Sequence, residues 1–125
     1  MGKAHRLPSE AIQDFLDFID QIVPEYELAK KQMKKEQDKE PDFLHDFEFA
    51  KDKAERNRLA TQFHRSRVYR RKCKDQVQEL EYVINFVRDP VNKKLIVNLK
   101  QLLGNQLKRE EYLNGERHYK RRVES

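Results

Sequence analysis

The sequence predicts an all-α fold, and three observations predict it. Glycine and proline are scarce, three and four in 125 residues, which leaves little of the turn chemistry that many short strands require. Apolar residues recur at three- and four-residue steps along much of the chain. Between Asp42 and Pro90 neither helix breaker occurs. The architecture implied is a long central helix forming an antiparallel hairpin with the last helix, preceded by amphipathic helices. Along the chain this gives an N-terminal helical segment (1–41), a core hairpin (42–115) and a basic tail (116–125).

Leu7-Pro8-Ser9-Glu10 reads as a helix start with Ser9 as N-cap. Ile12, Phe15, Leu16, Ile19, Ile22 and Val23 then share one apolar face, with Asp14, Asp17 and Asp20 along another. Pro24 is expected to end or kink this helix. The segment after it is acidic first and Lys-rich later, as a helix dipole prefers, and thin in apolar residues. It reads as a mostly solvated helix that frays before Pro41.

Asp42 is expected to cap the long helix, which spans 46 residues if unbroken from Phe43 to Arg88. Its apolar stripe changes phase. Phe43, Phe47, Ala50 and Ala54 keep one register. Leu59, Phe63, Ser66, Arg70, Cys73, Val77, Leu80, Ile84 and Val87 keep another, in strict steps of four and three like a coiled coil. A bend near Glu55–Arg58 follows from the mismatch. Tyr82, Val83, Ile84, Phe86 and Val87 surround the helix, which predicts full burial at that end. Asp89-Pro90 supplies an N-cap and an N1 proline for the last helix. That helix points Leu95, Ile96, Leu99, Leu102, Leu103 and Leu107 inward and ends at Asn114-Gly115; its interior Gly104 suggests a close helix approach.

The net charge of +5 hides a polarity. Residues 1–55 hold 9 Lys/Arg against 14 Asp/Glu, and residues 56–125 hold 18 against 8. A basic half points to nucleic acid, an anionic surface or an acidic protein. No apolar run approaches the roughly 18 residues a membrane span needs. The lone Cys73 excludes a disulfide framework, and no signal-peptide stretch opens the chain, so a cytoplasmic setting is expected. His5, His45, His64 and His118 are scattered, and no nucleophile motif or phosphate loop can be assembled. The expectation is a non-enzyme with no cofactor and no metal. His45, Glu48 and Asp52 share a helix edge, which is read as solvated surface. Cys73, on the apolar stripe, is read as a buried thiol.

The densest signal lies between Arg56 and Lys74. Arg56, Arg58, Arg65, Arg67, Arg70, Arg71, Lys72 and Lys74 occur there with no Asp or Glu among them. At 100° per residue, Arg58, Arg65 and Lys72 share one flank of the apolar seam; Arg56, Arg67, Arg71 and Lys74 share the other. Solvated helix faces mix signs at i,i+4, and this one does not. Arg outnumbers Lys six to two, and its planar fork suits phosphate. His64 and Tyr69 add rings on which bases stack. In the tail, Arg117, Lys120, Arg121 and Arg122 are expected to join the same patch.

The motifs Val68-Tyr69-Arg70-Arg71-Lys72, Asp75, Asn92-Lys93-Lys94, Leu99, Gln101-Leu102-Leu103-Gly104 and Tyr119–Val123 lie within the stretch from Arg67 to Val123, roughly half of the chain. In these it resembles small helical proteins of bacteriophages and mobile elements of Gram-positive bacteria. The resemblance implies a genomic setting without an assigned activity. It also brings in an inhibitor of host nucleoprotein, such as an RNA-guided defence nuclease (anti-CRISPR-like), as a rival. Such an inhibitor would use Asp42, Asp46, Glu48, Asp52 and Glu55 against a host protein. The leading expectation is a binder of nucleic acid or nucleoprotein. A third is a homo-oligomer in which acidic and basic halves meet across chains, Arg70 facing a neighbour's carboxylate.

Overall fold

The structure, a computed structural model, describes residues 6–115. Four helices follow in order: α1 (Pro8–Asp38), α2 (Glu40–Glu48), α3 (Lys53–Arg88) and α4 (Pro90–Asn114). The fold is all-α, with no strand among the described residues. The described chain divides into two compact units. One takes α1 up to Ile19 together with the chain from Arg88 onward; the other takes Asp20–Val87.

Two expected helices are one. α1 runs through Pro24 without interruption. Pro24 lies on the exposed face, where water can take the hydrogen bond that its missing N–H denies to the Asp20 carbonyl. The long helix, conversely, is two. α2 ends at Glu48 and α3 begins at Lys53, ahead of the bend expected at Glu55–Arg58. No glycine or proline marks the break. Asp52 makes it by accepting from the Glu55 N–H at 2.8 Å, while the Glu55 carboxylate accepts from the Lys51 N–H at 3.1 Å. Side chains thereby satisfy amides that a continuous helix would pair itself. Asp42 is not a cap: α2 starts at Glu40, and Lys39 before it makes no side-chain capping bond.

In the second unit α1 and α3 run antiparallel. Ile22 and Tyr26 cluster with Ile84, and Val23, Val77, Leu80 and Val83 pack around them. Further along α1, Glu36 accepts a hydrogen bond from Ser66 at 2.6 Å. Every position of the four-three stripe from Leu59 to Val87 is buried or half-buried. α1 answers with Ile22, Tyr26, Ala29, Met33 and Glu36 at the same spacing. From Ser66 to Ile84 the seam therefore finds its cover in α1 of the same chain. Burial at the Tyr82–Val87 end is narrower than the all-round pattern predicts. Ile84 is 0% exposed, but Tyr82 is 87% exposed and Phe86 is also exposed. α2 buries none of its residues and leans on α3 through Phe43 and Phe47, whose rings meet Phe63 edge-on at 5.3 and 6.2 Å.

In the first unit α1 does not use Ser9 as an N-cap. The helix starts at Pro8, and the Leu7 carbonyl accepts from the Glu10 N–H at 3.0 Å. Ser9 instead gives its N–H to Glu110 Oε2 at 3.1 Å and its hydroxyl to Glu110 Oε1. A carboxylate from α4 thus serves the orphan amides and positive dipole end of α1. Gln106 donates to the same carboxylate at 2.8 Å. The Ser9 hydroxyl, before all else, holds the Glu110 carboxyl below the usual glutamate range. Leu16, Ile19, Ile96 and Leu103 are buried in this unit, whereas Leu95, Leu102 and Leu107 are exposed, contrary to expectation. Gly104 supports no close approach, since a Cβ there would meet nothing within 4 Å. α4 begins as predicted, with Asp89 Oδ1 accepting from the Val91 N–H at 3.0 Å and Pro90 at the first turn. It closes at Gly115, whose N–H donates to the Glu111 carbonyl at 2.9 Å.

Candidate nucleic-acid interface

α3 positions the basic segment. Its seam is pinned by Leu59, Phe63, Ser66 and Cys73, so residues between these point outward at fixed angles. Arg56, Arg58, Arg65, Arg67, Arg71, Lys72 and Lys74 are all exposed, on the two flanks expected. Arg58, Arg65 and Lys72 follow one another at seven-residue steps, about 10.5 Å of helix rise. That separation matches the Debye length of roughly 8–10 Å, so salt largely screens their mutual repulsion.

The other flank is denser. Arg67, Arg70, Arg71 and Lys74 stand at i, i+3, i+4 and i+7, and with Asp75 and Gln78 they line a cleft of 290 Å³. Like charges at such spacing each cost about 0.2–0.5 kcal/mol. Among the described residues, one of the eight cations from Arg56 to Lys74 has an ion-pair partner: Arg67, 3.5 Å from Glu40. Arg67 also lies over the Phe63 ring, 5.7 Å from its centre. Arg70, placed by its spacing in the seam, is half-buried there, and its Nε is buried with no hydrogen-bond partner among the described residues.

A second recess of 390 Å³ adjoins the opposite flank, lined by Glu36, Lys39, Phe43, Gln62, Arg65, Ser66 and Tyr69. Ser66, before Lys39, holds the Glu36 carboxyl below the usual glutamate range, while burial opposes it. Tyr69 is exposed, and the neighbouring Cys73 thiol pushes its phenol above the usual tyrosine range. Cys73 is buried, as its place on the stripe predicts.

No protein-family model matches the sequence, and no curated protein and no solved structure matches it. The site therefore rests on its own geometry.

The acidic residues of the rival reading are not gathered. Asp42 and Asp46 lie exposed on α2, with Asp46 Oδ1 3.7 Å from His45. Glu48 turns to another side of that helix, while Asp52 and Glu55 are engaged at the start of α3. The His45, Glu48 and Asp52 edge is thereby divided between two elements, and no group of three metal-ligating side chains gathers among the described residues. Arg117, Lys120, Arg121 and Arg122, with the tail that carries them, lie outside the described residues. Sequence reasoning missed Glu40 and Glu36 as the carboxylates that reach α3. No local signal marks them, because both come from helices about 30 residues away in sequence.

Proposed function

We propose that this chain is a non-enzymatic binding protein that engages nucleic acid, or a complex containing it, through the basic face of α3. One observation carries the reading: eight cations of one helix, seven on its two flanks and Arg70 in the seam between them, share a single intramolecular ion pair among the described residues. A folded chain that leaves such a field unneutralised presents it to an external anion. Arg predominates, which suits bidentate phosphate contact, and exposed Tyr69 and His64 add ring faces for unpaired bases. Charge of this kind provides affinity rather than base reading. The test is fluorescence anisotropy on generic duplex and single-stranded DNA and RNA across salt. Engagement of about four to six phosphates gives a log–log salt slope of roughly −4 to −5 on duplex DNA. Reversal of Arg58, Arg65 and Lys72 to Glu abolishes binding with helix content unchanged. Equal binding by the triple variant refutes the reading.

A second reading has its own observation. α2 carries Glu40, Asp42, Asp46 and Glu48 without Lys or Arg, and Leu44 and Phe49 stand exposed beside them. An acidic helix of that kind suits a phage-type inhibitor that occupies the nucleic-acid site of a host protein. Such a chain binds one protein tightly and free DNA poorly, and Asp42→Ala with Asp46→Ala weakens it. Self-assembly is the remaining rival, and it requires a solution mass above 15.2 kDa without ligand.

A further inference from the structure

We propose that Arg67, Arg70, Arg71 and Lys74 form a discrete site for one phosphate group, and that Glu40 is the carboxylate this phosphate displaces. The inference rests on the anion-binding reading of α3 and adds to its charged face one discrete cleft. The two flanks differ in kind. Arg58, Arg65 and Lys72 are strung out singly along the helix. The four cations of the cleft occupy neighbouring positions within about 10.5 Å of rise, so their donors converge.

Arg70 supplies the second observation. It lies in the seam between Ser66 and Cys73, half-buried, with a buried and unpartnered Nε, yet its open portion lines the cleft. A guanidinium partly drawn out of water with no ion-pair partner among the described residues is a costly arrangement, and an anion seated beside it removes much of that cost; Asp75 lines the same cleft but pairs with none of its four cations among the described residues. The carboxylate already present is a poor substitute. Glu40 reaches Arg67 at 3.5 Å, well beyond the roughly 2.7–2.9 Å of a strong charge-assisted bond, and both side chains are about half exposed. A terminal phosphate of a polyphosphate carries more charge and more acceptor oxygens than this carboxylate, and a backbone phosphodiester, though a monoanion, can be gripped by several cations at once. Three planar guanidinium forks and one ammonium suit it. Its source is either the backbone of a nucleic acid or a free polyphosphate; the group recognised is the same.

The experiment follows pyrophosphate and a single-stranded oligonucleotide by calorimetry and by arginine Nε–H NMR on the full chain. Pyrophosphate is expected to saturate at one per chain and to shift Arg67, Arg70 and Arg71 ahead of Arg58 and Arg65. Arg71→Gln with Lys74→Gln, both exposed and so harmless to the fold, weakens it by about tenfold or more. Arg58→Gln with Lys72→Gln, which lie outside the cleft, leaves pyrophosphate binding within about twofold even though it weakens the oligonucleotide. Glu40→Gln tightens binding, whereas Glu48→Gln, which removes the same charge further along α2, does not. Non-saturating shifts of all eight cations, or equal losses in the two double variants, overturn the site. If oligonucleotides bind unchanged to the Arg71 and Lys74 variant, the cleft falls while the wider nucleic-acid reading stands. If pyrophosphate saturates the cleft and no oligonucleotide binds, the site stands and the wider reading falls.

Discussion

The two ends of the seam between α1 and α3 obey one spacing and do different things. At one end Ile22, Tyr26 and Ile84 exclude water, with Val77, Leu80 and Val83 packed around them. At the other the same steps of four and three bring in Glu36, Ser66 and Arg70. Fully burying a side chain such as Ile84 contributes roughly 1.5–3 kcal/mol. The Ser66–Glu36 hydrogen bond, made to a charged carboxylate, nets about 1.5–3 kcal/mol, against which the desolvation of Glu36 and Arg70 must be set. Stability is therefore concentrated at the apolar end. The polar end holds the register of the helices, and with it the angle at which the cations stand, at little net energy. A helix pair can keep its geometry through a stretch that contributes almost nothing to folding, and that stretch is free to carry function.

The sharpest way to break this comparison is Ile84→Ala. It is expected to cost about 2–5 kcal/mol in urea denaturation while leaving anion affinity unchanged wherever the protein is folded. A loss below about 1 kcal/mol would mean that the apolar end is not the main source of stability. Ser66→Ala, at the polar end, is expected to cost less, about 1.5–2 kcal/mol, since it removes one hydrogen bond from a carboxylate that keeps Lys39 3.0 Å away. The smallest effect is one of pH. Because Glu36 titrates below its ordinary range in the folded state, its contribution is complete above that range and is lost as pH falls through the lowered value. The stability difference between the parent and Glu36→Gln should be constant near neutrality and shrink below about pH 4. A difference that grows with acid would contradict the assignment of Ser66 as the dominant partner.

Much of α3 was legible from its residues. Each position of the Leu59–Val87 stripe is covered, because a 3.5-residue repeat leaves one continuous strip facing a neighbour whatever that neighbour is. Asp89-Pro90 was legible for a local reason as well: cap and first turn are adjacent in the chain. The break between α2 and α3 was less so. Its signal is Asp52 followed three residues later by Glu55, a capping pattern easily passed over where no glycine or proline accompanies it. Tyr82 and Phe86 misled because an all-round apolar pattern implies burial only if partners exist on every side. Of the candidate site, the two flanks could be read from the wheel. The role of Arg70 could not, since its spacing marks it as seam and only its surroundings show that its Nε has no hydrogen-bond partner among the described residues.

By itself the sequence determined that this protein is helical, that α3 has one buried strip, and that seven cations flank that strip and an eighth falls on it without acids among them. These follow from rules acting within a few residues: propensity, periodicity and capping. Only the tertiary structure decided which partners meet. α1 covers the seam from Ser66 to Ile84 and α2 meets it at Phe63, Glu40 reaches Arg67, and Ser9 finds Glu110 across 101 residues of chain. An amphipathic strip specifies that it must be covered and not by what, so the choice among several similar strips is made by packing the whole chain at once.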